Sequence, residues 1–152
     1  MHVLFAAQEL LYDAGARNFI FFNVPPTYRA PAGKSMFLRY LMAGRGSSTV
    51  RSRIALWNVE LEKLVDDFRE THPGVHAVVY DAAAIFNSVL DNPTKYGFKD
   101  SISSGEGKHY IWLDHLHPNY PLQRILAADL ARFLTNIESE TTAEAETTYA
   151  TS

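Results

Sequence analysis

Four side chains able to carry protons or bind a metal lie between residues 109 and 117: His109, Asp114, His115 and His117, the last three inside IWLDHLHPNYP (residues 111–121). A carboxylate three residues ahead of an imidazole can reach its near ring nitrogen across a turn, whose ends come within about 7 Å of each other. That contact fixes the tautomer and leaves the far nitrogen free to take a proton from a hydroxyl. Pro118 restricts His117 to extended backbone, so the imidazole is expected on a loop just ahead of a helix start. The spacing leaves two other readings open. Asp114 can be a capping side chain next to a loop histidine, and Asp114, His115 and His117 with His109 can ligate a metal.

A nucleophile is harder to find. The chain has no cysteine, which rules out a thiol nucleophile, a disulfide framework and a zinc ribbon. The stretch GRGSS (residues 44–48) is not a phosphate loop, because it lacks the closing Gly-Lys-Ser/Thr and does not directly follow a strand.

The elements that must position the Asp114/His117 pair are read from periodicity. Val3, Leu4, Ala7, Leu10, Leu11 and Ala14 recur at helical spacing ahead of Gly15, which predicts a helix over 2–14. NFIFFNV (residues 18–24) is apolar without alternation and stops at Pro25-Pro26, as a central parallel strand buried on both faces does. From Ile54 the series Trp57, Leu61, Leu64, Val65, Phe68 predicts a long amphipathic helix ending at Pro73-Gly74. HAVVY (residues 76–80) reads as a second strand, Asp81 as the cap of a helix to about Leu90, and 92–110 as a loop. After Pro118 comes a helix with Leu122, Ile125, Leu126, Leu130, Phe133, Leu134 and Ile137 on one stripe.

Each strand follows a crossover helix, so the sheet is expected to be parallel with helices on both faces. Two strands are few for that architecture. A run as apolar as FIFF calls for a neighbour on each edge, and the chain offers one, so self-association through the open sheet edge is expected.

Residues 27–53 form a Gly/Ser/Pro-punctuated insertion with Arg29, Lys34, Arg39, Arg45, Arg51, Arg53 and no acid, within which SMFLRYLM (residues 35–42) has the pattern of a short amphipathic helix. Packing of this segment on the domain is the simpler expectation; docking on an anionic partner is the alternative function, that of a non-catalytic binding module using 29–53. Four of the 17 acidic residues, Glu138, Glu140, Glu144 and Glu146, follow the last basic one, leaving a body of near-neutral charge that offers no field for nucleic acid. The tail 138–152 has almost nothing to bury, which is the composition of disorder. No apolar run reaches membrane-spanning length, and residues 1–14 lack the basic start and cleavage site of a signal peptide. Met1 leading straight into a helix pattern gives the expectation of an entry in mid-domain.

LYDAGARNFIFFNVPP, WNVELEKLVDDF, VVYDAAAIFNSVLDNPTKYGF and IWLDHLHPNYPLQRILAADLARFL, in this order, resemble the C-terminal portion of the SGNH/GDSL serine esterase family, most of all its fungal branch with carbohydrate acetylesterases. The resemblance covers most of residues 8–134 and implies a flavodoxin-like three-layer α/β fold, here incomplete, over 1–137. It implies Asp114 as the orienting carboxylate and His117 as the general base, with no role for His115. It also implies a small acyl-ester substrate on a carbohydrate and no metal or other cofactor; full-length members are often secreted. Trp57-Asn58, Asn87, Pro93, Tyr96 and Gly97 match recurrent positions of a structural kind. The family's Gly-Asp-Ser nucleophile block, its oxyanion glycine and its Gly-x-Asn-Asp block have no counterpart here. The Gly46-Ser47 step has no aspartate before the serine and lies in the insertion. Base and orienter without nucleophile or oxyanion hole is thus the expected inventory, and inactivity of the chain by itself the expected consequence.

Overall fold

A computed structural model describes the backbone of residues 2–34 and 47–150, and the side chains of 3–33 and 50–137. In chain order the elements are α1 (His2–Asp13), β1 (Asn18–Phe22), a 3-10 turn (Thr27–Arg29), α2 (Pro31–Lys34), α3 (Ser47–Thr71), β2 (His76–Tyr80), α4 (Ala82–Asp91), a second 3-10 turn (Pro93–Tyr96) and α5 (Tyr120–Ala150).

Local chemistry accounts for the ends of these elements. Gly15 takes φ 102°, and the amides of Gly15 and Ala16 close back on the carbonyls of Tyr12 and Leu11, the double bond of a left-handed helix terminus. Asp81 caps α4 by accepting the Ala84 amide. Two boundaries differ from expectation. Helix α3 begins at Ser47 and not near Ile54, so Arg51 and Arg53 ride on a helix and the insertion is shorter than 27–53; Ser47-Ser48-Thr49 is the kind of run at which helices start. Helix α5 continues through Ala150 past Glu138, where composition argued for disorder. Seven of residues 138–150 are alanine or glutamate, which have high intrinsic helix propensity, a factor that a count of buriable residues overlooks. The amphipathic stretch 35–42 lies outside the described residues.

The sheet has two strands, β1 and β2, parallel and in register from Asn18 opposite His76 to Phe22 opposite Tyr80. Period-two geometry sends Phe19 and Phe21 to one face, where they pack with Ala77 against Leu61, Val65 and Phe68 of α3. Helix α1 joins that cluster through Leu4, Phe5 and Tyr12, with the Phe5 ring stacked on Phe21 at 5.4 Å. The stripe expected to be buried is therefore rotated, and Val3, Leu10 and Leu11 stay exposed; the aromatic rings, with more area to bury, set the rotation. On the opposite face Tyr80 fastens α5, its hydroxyl donating to Asp129 Oδ2 at 3.0 Å. Burial and that carboxylate push the phenol up to about 12, so it stays protonated as a donor. Ile20 and Phe22 remain 41% and 52% exposed on this face, which corrects the expectation of a strand buried on both sides. Among the described residues nothing pairs with the outer edge of β1. A second core, built from Phe86, Val89, Leu90, Phe98, Ile111, Trp112 and Leu122, lies under the loop that carries the site. Among the described residues no helix is long and apolar enough to cross a membrane.

The turn after β1 is held by side-chain amides. Asn58 on α3 accepts the Val24 amide at 2.9 Å and donates to the Val24 carbonyl at 3.0 Å, replacing a neighbouring strand at that one position. Asn23, 7% exposed, donates to Asp81 Oδ1 and accepts the Ala83 amide, tying the end of β1 to the start of α4. Removal of the Asn58 amide leaves a half-buried N–H and C=O without partners. Asn58→Ala is expected to cost about 1–3 kcal/mol, measured as a lower urea midpoint at unchanged m-value; a change within error of zero would show that water replaces the amide.

Candidate active site

The loop carrying the candidate residues is a short hairpin-like closure. The Asn119 amide donates to the Ile111 carbonyl and the Leu113 amide to the His117 carbonyl, both at 2.8 Å. Trp112, 1% exposed, roots it in the second core, and its indole N–H donates to the Ser101 carbonyl. Asn119, 4% exposed, is the other root: Nδ2 donates to the Gly105 carbonyl at 3.1 Å and the Gly107 carbonyl at 2.9 Å, while Oδ1 accepts the Tyr120 amide at the start of α5. The third attachment comes from α2, whose Ala32 amide donates to the His115 carbonyl at 2.7 Å. Helix α2 fits there because residue 33 is glycine; a Cβ at that position would sit 2.2 Å from the Tyr28 carbonyl oxygen.

On this support Asp114 and His117 meet. Asp114 Oδ1 accepts the amides of Leu116 at 2.7 Å and His117 at 2.8 Å, and Oδ2 lies 2.8 Å from His117 Nδ1. The amides of His117 and Leu116, with the His117 ring after them, hold the Asp114 carboxyl well below the usual carboxylate range. An ionised carboxylate can only accept, so Nδ1 carries a proton, and whenever the ring is neutral Nε2 is the free base. Nε2 has no partner among the described residues, and the His117 side chain is 69% exposed. The pair can therefore accept a proton from any hydroxyl brought to Nε2 and return it to a leaving group.

The other expected candidates separate. His115 is exposed and contributes its backbone carbonyl to the Ala32 contact. His109 Nδ1 lies 3.2 Å from the Gly97 carbonyl. Among the described residues no three His, Asp or Glu side chains are grouped as metal ligands. Ser47 opens α3, and Gly46 before it lies outside the described residues. Arg29 of the basic segment is bound to Asn87 Oδ1 and Asp91 Oδ1 of α4, and Arg51 lies 5.8 Å from the Tyr28 ring. Of the recurrent positions, Tyr96 shares a hydrogen bond with Ser88, and Gly97 takes φ 81°. The supports missed by sequence reading are Asn23, Asn119 and Ala32. Their partners are distant in sequence, and an asparagine in a loop is an ordinary turn residue.

The site is thus an Asp-braced imidazole at the mouth of the last helix of an α/β frame. No family model matches the chain. It is 32% identical over 134 residues to an acetylesterase of Thermothelomyces thermophilus, covering 86% of this chain and 42% of that protein. It is 24% identical over 145 residues to a GDSL esterase/lipase of Arabidopsis thaliana, covering 79% of this chain and 40% of the relative. The chain belongs to the GDSL/SGNH esterases, as a C-terminal portion of one, and spans about two fifths of the length of the curated relatives it matches.

Because the folded pKa of Asp114 lies below its unfolded value of about 3.9, the turn contributes stability above that pH and loses it as pH falls through the lower, folded value. Carbon-13 titration of the Asp114 carboxyl is expected to give a midpoint below the ordinary one. A midpoint at or above it would mean that the turn does not hold in solution.

Proposed function

We propose that this chain is the acid–base half of a serine ester hydrolase, with Asp114 as orienter and His117 as base, and that it is inactive without polypeptide carrying the nucleophile. The reading is carried by His117 Nδ1 held 2.8 Å from the Asp114 carboxylate with Nε2 open, in a chain related to an acetylesterase. In the assembled site a serine hydroxyl attacks the ester carbonyl and gives its proton to Nε2; His117 passes that proton to the departing alkoxide oxygen, leaving an acyl-serine, then takes one from the water that attacks the acyl carbonyl and hands it to the departing serine oxygen as the acid is released. Asp114 stays ionised throughout and stabilises the imidazolium. Donors for the oxyanion come from outside this chain, and the chemistry asks for no metal or organic cofactor.

The substrate class we propose is a short acyl ester, an acetyl group above all, on a carbohydrate. The acetylesterase relative supports the acyl group. Supporting the sugar is the resemblance of the chain's sequence blocks to the fungal branch with carbohydrate acetylesterases. The alternative, a binding module working through basic residues 29–53, is weakened by the engagement of Arg29 with Asp91 and Asn87.

A serine-reactive fluorophosphonate is expected to leave the isolated chain unlabelled. Fusion behind the corresponding N-terminal portion of the Thermothelomyces relative is expected to restore labelling and acetyl-ester hydrolysis, and His117→Ala in the fusion to lower kcat by about 10⁴-fold or more. Stoichiometric labelling of a serine in the isolated chain, or a His117→Ala fusion as active as its parent, would overturn the reading.

A further inference from the structure

We propose that Arg29 is a positioning residue for the Asp114/His117 pair, acting through the Ala32 amide on the peptide plane between His115 and Leu116. A peptide group is rigid, so its carbonyl and its N–H point opposite ways in one plane. In the peptide joining His115 to Leu116 both ends are taken. The His115 carbonyl accepts the Ala32 amide, and the Leu116 amide donates to Asp114 Oδ1, each at 2.7 Å. A rotation that lifts the oxygen off Ala32 therefore swings the N–H off Asp114, and bonds in series strengthen each other. The Asp100 turn has the same construction with a different outside donor. There the Ser101 carbonyl accepts the Trp112 indole at 3.0 Å, and the Ile102 amide donates to Asp100 Oδ1 at 2.8 Å. In both turns the carboxylate sits on a peptide whose plane is fixed from outside the turn.

At Asp114 that plane is fixed by the seat of residues 27–33 on α4. The segment is tied to itself: Ala30 donates to the Thr27 carbonyl at 3.1 Å and Gly33 to the Ala30 carbonyl at 2.9 Å, and the missing Cβ of Gly33 lets it close on Tyr28. Ala30, fully buried, packs in one core with Phe86, Val89 and Leu90 of α4. Arg29 supplies the polar anchor. Its guanidinium forks onto Asn87 Oδ1 at 2.7 Å and onto Asp91 Oδ1, one turn apart on α4. An apolar contact at Ala30 alone lets the segment pivot; the fork removes the pivot and so sets where the Ala32 N–H points. The catalytic consequence rests on the esterase reading, whereas the clamp is a property of the chain.

Arg29→Met keeps the side-chain stem and removes the donors. The carbon-13 midpoint of Asp114 is expected to rise toward the ordinary carboxylate value, and the Asp100 midpoint to stay where it is in the unaltered chain. The Leu116 amide is expected to exchange with solvent about tenfold faster, the loss of roughly one hydrogen bond, with the Ile102 amide unchanged. Asn87→Ala is expected to move the Asp114 signals the same way by less, and not to add to Arg29→Met in the double variant. Arg29→Lys, which keeps the charge and loses the fork, is expected to fall between. If Arg29→Met does not fold, Asn87→Ala and Arg29→Lys decide. In the fusion with the Thermothelomyces portion, Arg29→Met is expected to lower kcat roughly 10- to 100-fold at unchanged KM. An Asp114 turn that keeps its midpoint and exchange rate, an Asp100 turn that loosens equally, or a fusion whose kcat Arg29→Met does not move, overturns the proposal. A fusion inactive before any substitution counts against the esterase reading and leaves the titration to decide the clamp.

Discussion

The parallel ladder from Asn18–His76 to Phe22–Tyr80 is the joint on which the rest of this fold depends. One face of it anchors α1 and α3 through Phe19, Phe21 and Ala77, and the other anchors α5 through Tyr80. The C-terminal ends of both strands feed the polar contacts that set the site: Asn23 to Asp81 and Ala83, Asn58 to Val24, and beyond the Pro25-Pro26 turn the Ala32 amide to the His115 carbonyl. A shift of one residue in register would exchange the two faces and break each of these contacts together.

The Asp114 turn has a close counterpart in the same loop. Asp100 Oδ1 accepts the amides of Ile102 and Ser103, and its other oxygen accepts the Ser103 hydroxyl, as Asp114 takes the amides of Leu116 and His117 and then the His117 ring. Both carboxyls are held below their ordinary range mainly by hydrogen bonds donated within the turn. The backbone conformation is thus a property of aspartate in a loop, available without any catalytic purpose. What distinguishes the second turn is the residue at its end. A hydroxyl there closes the turn and does nothing more, whereas an imidazole closes it and presents a second nitrogen outward. The capping and orienting readings of Asp114 describe one geometry.

Much of the architecture could be read before any coordinates. Continuous apolarity at Phe19–Phe22 identified a strand, Gly15 and Asp81 marked helix ends, and Asp114-x-x-His117-Pro118 marked the loop at the start of the last helix. Local rules governed each of these. Legibility failed where a partner distant in sequence decided the outcome. The buried face of α1 follows Phe5 and Tyr12 because Phe21 and His72 lie opposite them, which helical periodicity alone does not contain. Asn119 and Asn23 anchor two loops through carbonyls and amides 12 to 60 residues away, and look in the sequence like ordinary turn residues. The continuation of α5 through Ala150 depended on intrinsic propensity, which the composition reading set aside in favour of burial.

The chain has two tryptophans, and the fold places them at opposite extremes of environment: Trp57 beside β1, 40% exposed, and Trp112 beneath the Asp114/His117 loop, 1% exposed. Indole emission moves to longer wavelength as water reaches the ring. Each tryptophan therefore carries its own optical signature, a red component from the half-exposed ring beside β1 and a blue one from beneath the loop, so quenchers dissolved in the buffer would dim the first and spare the second.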